Sequence, residues 1–184
     1  MVINLAFSGK MTSGKSTCAD HAIQTIGLDN AVRLSFADPI YEIAHKYWNM
    51  QEKDRPLLIF IGETWRKRDP MIWVNILLQK VKELNAHGIS VIIDDLRMKQ
   101  EFDALKNAGF YMVRLNVSEF EQESRIRSLY PNSFDEHLAK RNNSTECSLD
   151  SSNILWDVYF AHDISKVMMK KSVETIINGF NRQK

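Results

Sequence analysis

The chain has 184 residues, 44% of them hydrophobic and 26% charged, and its 24 basic and 23 acidic residues leave a net charge of +1. This is the composition of one globular domain that buries a core without metals or disulfides. The charge balance excludes a protein whose main task is coating a nucleic-acid backbone.

Val2 to Ser8 is an apolar run that stops at Gly9 and reads as a buried strand. It is too short for a signal peptide or a membrane span. Lys15 to Ile26 then reads as a helix closed by Gly27. Ala31 to Phe36 is a second strand, and Pro39 suits the first turn of a helix running to about Tyr47. Arg55 to Arg68 and Met71 to His87 are helices separated by Asp69-Pro70, the second ended by Gly88. Ile89 to Ile93 is a β-branched strand ending at Asp94-Asp95. Lys99 to Ala108 is a helix before Gly109, and Tyr111 to Val117 is a strand. Ser118 and Glu121 form a capping pattern that opens the next helix. Tyr130 to Asn143 reads as polar and irregular, and Trp156 to Ala161 as a last strand. The final helix carries Val173, Ile176, Ile177 and Phe180 on one face. Strands alternating with helices predict a parallel sheet covered on both faces, with ligands beyond the carboxyl ends of its strands.

Residues 9 to 16 read Gly-Lys-Met-Thr-Ser-Gly-Lys-Ser and fit the phosphate-binding pattern GxxxxGK[ST]. Glycine lets the backbone wrap closely, so that its N–H groups point at phosphate oxygens. Lys15 reaches the β- and γ-phosphates, Ser16 ligates magnesium, and the helix that starts here turns its positive end to the anion. Gly9, Lys10, Ser13, Gly14, Lys15, Ser16 and Thr17 are the expected ATP-binding residues. Lys10 reads either as extra charge near the γ-phosphate or as a solvated loop lysine.

Asp94, Asp95 and Arg97 follow a buried strand, where an acid holds magnesium and an arginine offers a donor fork to a phosphate. An aspartate there also serves to cap the next helix. Asp95 and Arg97 are the favoured pair, and which aspartate serves the metal stays open. Trp65, Arg66 and Arg68 end a helix, where the two arginines either complement the helix dipole or, in a kinase, clamp the acceptor's phosphate. Trp48, Trp73 and Phe36 read as base-stacking or core aromatics. Arg125 and Arg127 lie on a helix beside the polar stretch and read either as exposed arginines of a solvated helix or as lid arginines that close over a transferring phosphoryl group. No Ser-His-Asp or Cys-His set stands out. Cys18 and Cys147 are far apart and suggest a reducing compartment.

On these residues the chain resembles the P-loop nucleoside monophosphate kinases, most closely the deoxynucleoside monophosphate kinases of bacteriophages. The resemblance runs through Ser8 to Ser16, Phe36-Ala37-Asp38-Pro39-Ile40, Ile61-Gly62-Glu63 with Trp65 and Arg66, and Asp69-Pro70 with Ile72-Trp73-Val74. It continues through Ile93 to Arg97 and ends at Thr145-Glu146-Cys147-Ser148-Leu149-Asp150. Animal-type phosphomevalonate kinases are similar in the same places. The resemblance implies an α/β P-loop NTPase fold spanning residues 1–184 as one domain. It implies a five-stranded parallel sheet, an acceptor-binding region at about 37–87 and a lid at about 120–145. It implies transfer of the γ-phosphoryl group from ATP, with Mg2+, to a (deoxy)nucleoside monophosphate. Arg66 and Arg97 would then bind the acceptor phosphate, Asp95 would organise magnesium and Arg125 would serve the lid. Phe36, Asp38, Trp65, Arg68 and Glu146 complete the expected acceptor set. The chain departs from the commoner pattern at Asn142 to Thr145, where a His-x-Ser-Glu stretch is usual, and His137 takes no role from it. A phosphomevalonate-type kinase, a kinase for a modified base in DNA and a non-catalytic ATP-binding module are the alternatives. A small-molecule partner is expected, with no membrane and no stable nucleic-acid complex. A homodimer is left open, and the cytoplasm, the host's for a phage-encoded chain, is the expected compartment.

Overall fold

The computed structural model describes residues 1–140, 148–150, 153–161 and 164–182. Glu146, Cys147 and the far end of the expected lid lie outside the described residues. Five strands form one parallel sheet: β1 (Leu5–Gly9), β2 (Ala31–Leu34), β3 (Ser90–Leu96), β4 (Tyr111–Leu115) and β5 (Val158–Phe160), in the order β2-β3-β1-β4-β5. The central strand is therefore the one that runs into the glycine-rich loop.

Alternation along β1 sorts its side chains onto two cores, because successive residues of a strand face opposite ways. Leu5 and Phe7 pack with Cys18, Ala19 and Ala22 of α1 (Lys15–Ile26) and with Val173 and Ile177 of α8 (Lys166–Arg182). Ala6 faces the other core with Val91, Ile93 and Met112, under Val74, Leu77 and Val81 of α4 (Ile72–Ala86) and Phe102 and Leu105 of α5 (Lys99–Asn107). A third, smaller core joins α4 to α2 (Asp38–Trp48) and α3 (Arg55–Arg68) through Ala44, Ile61 and Trp73. This satellite falls within residues 37–87, where the acceptor-binding region is expected. In it the Trp73 indole donates to the Gly62 carbonyl at 3.0 Å and stacks on Trp65.

Two expectations change. β3 extends to Leu96, so Asp94 and Asp95 sit inside the strand rather than past it. Ala6 pairs with Ile93 and Ser8 with Leu96, so β3 carries one extra residue against β1. Such a bulge lets a strand re-aim side chains beside a site. The polar stretch after Tyr130 is regular as far as it is described, through Lys140. A 3-10 turn at Pro131–Ser133 leads into helix α7 (Phe134–Lys140), which follows α6 (Glu119–Leu129). Stacking of His137 on Tyr130, with ring centroids 3.9 Å apart, holds the turn between the two helices. Polar composition hid a helix whose support is tertiary. Among the described residues no helix is long and apolar enough to cross a membrane.

Candidate active site

The glycine-rich loop is built where β1 stops. A Cβ on Gly9 would stand 2.6 Å from the Leu115 carbonyl oxygen and 2.6 Å from Ser13 Oγ, so the turn tolerates no side chain there. Gly14 takes φ 100° and ψ 13°, a left-handed conformation that glycine adopts without strain. Inside the loop, Lys15 Nζ donates to the Gly9 carbonyl at 2.6 Å and to the Lys10 carbonyl at 2.8 Å. The loop thus clasps its own ammonium group. α1 starts at Lys15 with no side-chain cap on its N–H groups, leaving the positive end of the helix to a ligand. Thr12 Oγ1 and Ser13 Oγ are buried and meet no hydrogen-bond partner among the described residues. Buried hydroxyls are ordinarily satisfied, so two orphans in one loop fit a cradle for polyanionic oxygens. Ser16 is exposed at the start of α1 and Thr17 is half-buried behind it. Cys18 follows, and burial pushes its thiol up to about 12, which removes it as a nucleophile.

A cavity of about 800 Å³ opens over this loop, walled by Met11 to Thr17 on one side. Arg125, Tyr130 and Lys166 are among its other walls. α6 is docked by two side chains. Gln122, 1% exposed, donates to the Met11 carbonyl at 3.0 Å, and Arg125 Nη1 donates to the Thr12 carbonyl at 3.0 Å. Glu121 accepts from Arg125 Nε at 2.8 Å and holds the guanidinium in that direction. Ser118 caps α6 through the Glu121 N–H, so half of the expected capping pattern forms while the Glu121 carboxylate turns to Arg125 instead. Arg127 does not join the cavity. Its guanidinium lies 4.0 Å from the Phe134 ring and 3.4 Å from Glu123, on the outer side of the α6–α7 unit.

The two aspartates of β3 part company. Asp94 lies 3.5 Å from Arg33, which also binds Asp20 of α1 at 2.6 Å, so Asp94 belongs to a bridge between β2, β3 and α1. Asp95 turns to the β2–α2 connection. It accepts from the Ser35 hydroxyl at 2.6 Å and the Phe36 N–H at 3.0 Å, while its Oδ1 is buried and meets no hydrogen-bond partner among the described residues. Burial is the main reason its pKa rises from 3.8 to about 6. The Ser35 bond opposes the rise, and the charges of Glu101 and Asp94 add to it. Neither aspartate caps α5. That work falls to Glu101, which accepts from the N–H groups of Arg97 and Met98 at 3.0 and 2.9 Å. Burial also raises Glu101, against the nearby positive charges of Arg66 and Arg97. Those two arginines, far apart in sequence, therefore share one acidic neighbour at the carboxyl end of β3.

The rest of the expected acceptor set is dispersed. Asp38 spends one oxygen on the Ser35 N–H at 2.7 Å, which shapes the entry to α2. Phe36 is 7% exposed and packs in the α4–α5 core, a role that leaves little ring face for a base. Trp65 is 42% exposed above Trp73, and Arg68 is exposed at the end of α3. Trp48 is half-open on α2. Among the described residues no cluster of three or more His, Cys, Asp or Glu side chains could hold a metal. A magnesium ion needs less, since it usually takes one or two protein oxygens and completes its shell with phosphates and water. The Ser16 hydroxyl and the orphan Asp95 oxygen fit that donor set.

Sequence reasoning missed Gln122, Ser35, Glu101 and Arg114. One of them carried a signal. Arg114 stands in an otherwise apolar strand, Tyr-Met-Val-Arg-Leu, and is 6% exposed, which a charged group accepts only with partners. Gln122 meets the Met11 carbonyl and Ser35 the Asp95 carboxylate only on folding, whereas Glu101 reaches back to N–H groups three and four residues away.

No family model matches the chain. One curated relative, an uncharacterized protein ORF77 of Ictalurid herpesvirus 1 (strain Auburn), is 32% identical over 109 residues, covering 57% of this chain. The chain spans under half, 46%, of that relative's length. Similar solved structures include an unliganded sugar kinase from Janibacter sp. HTCC2649, with TM-score 0.56, 14% identity, and 97% of this chain and 95% of that one covered. A putative kinase from Chloroflexus aurantiacus gives TM-score 0.53 at 14% identity, covering 95% and 97%. A shikimate kinase from Bacteroides thetaiotaomicron gives 0.51 at 14% identity, covering 98% of each. Likeness at such identities speaks to architecture alone, and the architecture is a five-stranded parallel P-loop fold of the kind these kinases share.

Proposed function

We propose that this chain is an ATP-dependent phosphotransferase that phosphorylates a (deoxy)nucleoside monophosphate. The observation that carries the reading is the arrangement at one end of the sheet. A glycine loop clasping Lys15 opens into a cavity walled by Arg125, while Asp95, Arg66 and Arg97 gather at the neighbouring strand end. A module that only binds ATP has no need of a second cationic group beside the first.

In this reading the loop amides and Lys15 hold the β- and γ-phosphates, and the α1 N-terminus neutralises part of their charge. Arg125, already aimed by Glu121, neutralises charge on the phosphoryl group in flight. Arg66 and Arg97 hold the acceptor's own phosphate, so its attacking oxygen points at the donor. Glu101 is the buried carboxylate whose charge both arginines favour. Asp95 and Ser16 would hold magnesium, which when bound draws charge from the phosphate oxygens. α6 and Tyr130 wall one side of the cavity and keep water from the donor.

The test is ADP release from Mg·ATP with each nucleoside monophosphate in turn. Phosphomevalonate, shikimate, a monosaccharide and an oligonucleotide form the other arms. One monophosphate should stimulate release strongly, Lys15→Ala should abolish it, and Arg97→Ala should raise KM for the acceptor more than for ATP. Release that responds only to a non-nucleotide arm would replace the substrate; release that responds to none would remove the activity.

A further inference from the structure

Asp150 ends the Thr145 to Asp150 stretch, and phosphoryl transfer as described gives it no part. Its carboxylate lies between two cations. One is Arg114 of β4, whose Nη2 donates to Asp150 Oδ1 and whose Nη1 donates to the Ser8 hydroxyl at 2.9 Å. The Ser8 hydroxyl in turn donates to the Leu96 carbonyl at 2.9 Å, and the guanidinium lies 5.6 Å from the Trp156 ring centre. The other cation is Lys10 of the glycine loop, with Nζ 3.8 Å from Asp150 Oδ2. Two residues earlier the Ser148 hydroxyl donates to the Arg97 carbonyl. Two residues of chain span at most roughly 7 Å. Ser148-Leu149-Asp150 therefore straps the donor loop at Lys10 to the acceptor side at Arg97.

We propose that Asp150 is a positioning residue that holds the Lys10 ammonium at the junction between donor and acceptor, where the phosphoryl group passes. The inference rests on the phosphotransferase reading above. Burial fixes the anchor: a guanidinium enclosed at the sheet end requires a counter-charge, so Arg114 keeps the carboxylate in place. Lys10 has a long flexible stem and gains a direction from that carboxylate. At 3.8 Å, with Asp150 38% exposed, the Lys10 pair is loose. A loose pair lets the ammonium turn to a phosphate at little cost.

The test uses the full chain with magnesium and measures ADP affinity with and without aluminium fluoride, a mimic of the transferring phosphoryl group. Wild type, Asp150→Asn, Lys10→Met and the double variant are compared. Asp150→Asn should keep ADP affinity within about threefold, and both single variants should lose roughly tenfold of the gain conferred by fluoride over their own ADP affinity. The double variant should lose no more than the worse single. Additive losses, or an Asp150→Asn variant with a wild-type fluoride gain, overturn the proposal. Lys10→Met leaves the Asp150–Arg114 pair intact, so it keeps the test decisive if Asp150→Asn folds poorly. An undiminished gain in Lys10→Met overturns the proposal alone, as does a wild type that gains nothing. A silent acceptor panel with the fluoride coupling intact counts against the proposed substrate, whereas an active panel without the coupling counts against Asp150.

Discussion

Burial drives the Asp95 carboxyl up to about 6, and the Ser35 hydroxyl and Phe36 amide offset only part of that. The folded value lies above the unfolded 3.8, so the proton is favoured by folding. Asp95's contribution is then fully present below about pH 4 and is lost as pH rises through about 6. Above that range the ionised group costs the fold roughly 2–3 kcal/mol. Asp95→Asn should therefore melt higher than wild type at pH 7, with the gap closing toward pH 4, while losing phosphoryl transfer. Melting curves at four pH values across that window check this, and a gap that does not change with pH would refute burial as the cause. In the wild type kcat/KM should rise as Asp95 ionises near pH 6, because magnesium takes the carboxylate and not the acid. The residue was legible as a candidate from its place after Ile92-Ile93. Its separation from Asp94 was not, because a bulge in β3 decides which carboxylate meets Arg33 and which meets Ser35.

Helix α6 shows what an element's own sequence conveys. Its start was readable from Ser118, since a cap is local chemistry between a side chain and an N–H three residues on. Its docking was not readable, because Gln122 looks like any polar helix residue until the Met11 carbonyl arrives from the other end of the chain. The same limit explains Arg125 and Arg127. They are two positions apart and cannot share a helix face, and only packing decides which one meets the loop. Gln122→Ala should cost about 1–3 kcal/mol, since it strands a loop carbonyl and removes a buried side chain. It should also raise KM for ATP, as Arg125 loses the helix that aims it. Denaturant unfolding and ATP titration measure the two effects; a stability loss with ATP affinity untouched would make α6 a support for the fold alone.

At the scale of the whole molecule, the alternation of strands and helices was legible and the sheet order was not. Order rests on β1 lying between β3 and β4, and those pairings join residues more than 80 positions apart. The consequence concentrates at Gly9, the last residue of β1 and the partner of Leu115. The loop's two structural glycines should fail for different reasons. At Gly14 the close contact of an added Cβ is the Met169 tip, with the sulfur at 2.9 Å and Leu115 Cδ2 at an ordinary 3.8 Å, and a methionine tip moves readily. The cost there is conformational, about 1–3 kcal/mol for φ near 100°. At Gly9 the Cβ meets the Leu115 carbonyl oxygen at 2.6 Å, a backbone atom at the end of the sheet ladder that cannot yield without parting β1 from β4. Gly9→Ala should therefore destabilise the chain more than Gly14→Ala. Adding Met169→Ala to Gly14→Ala should restore little, since the strained φ remains. Equilibrium unfolding of the three variants ranks them. If Gly14→Ala proved the worse, or Met169→Ala rescued it, then packing against α8 rather than the β1–β4 junction would set the shape of the phosphate loop.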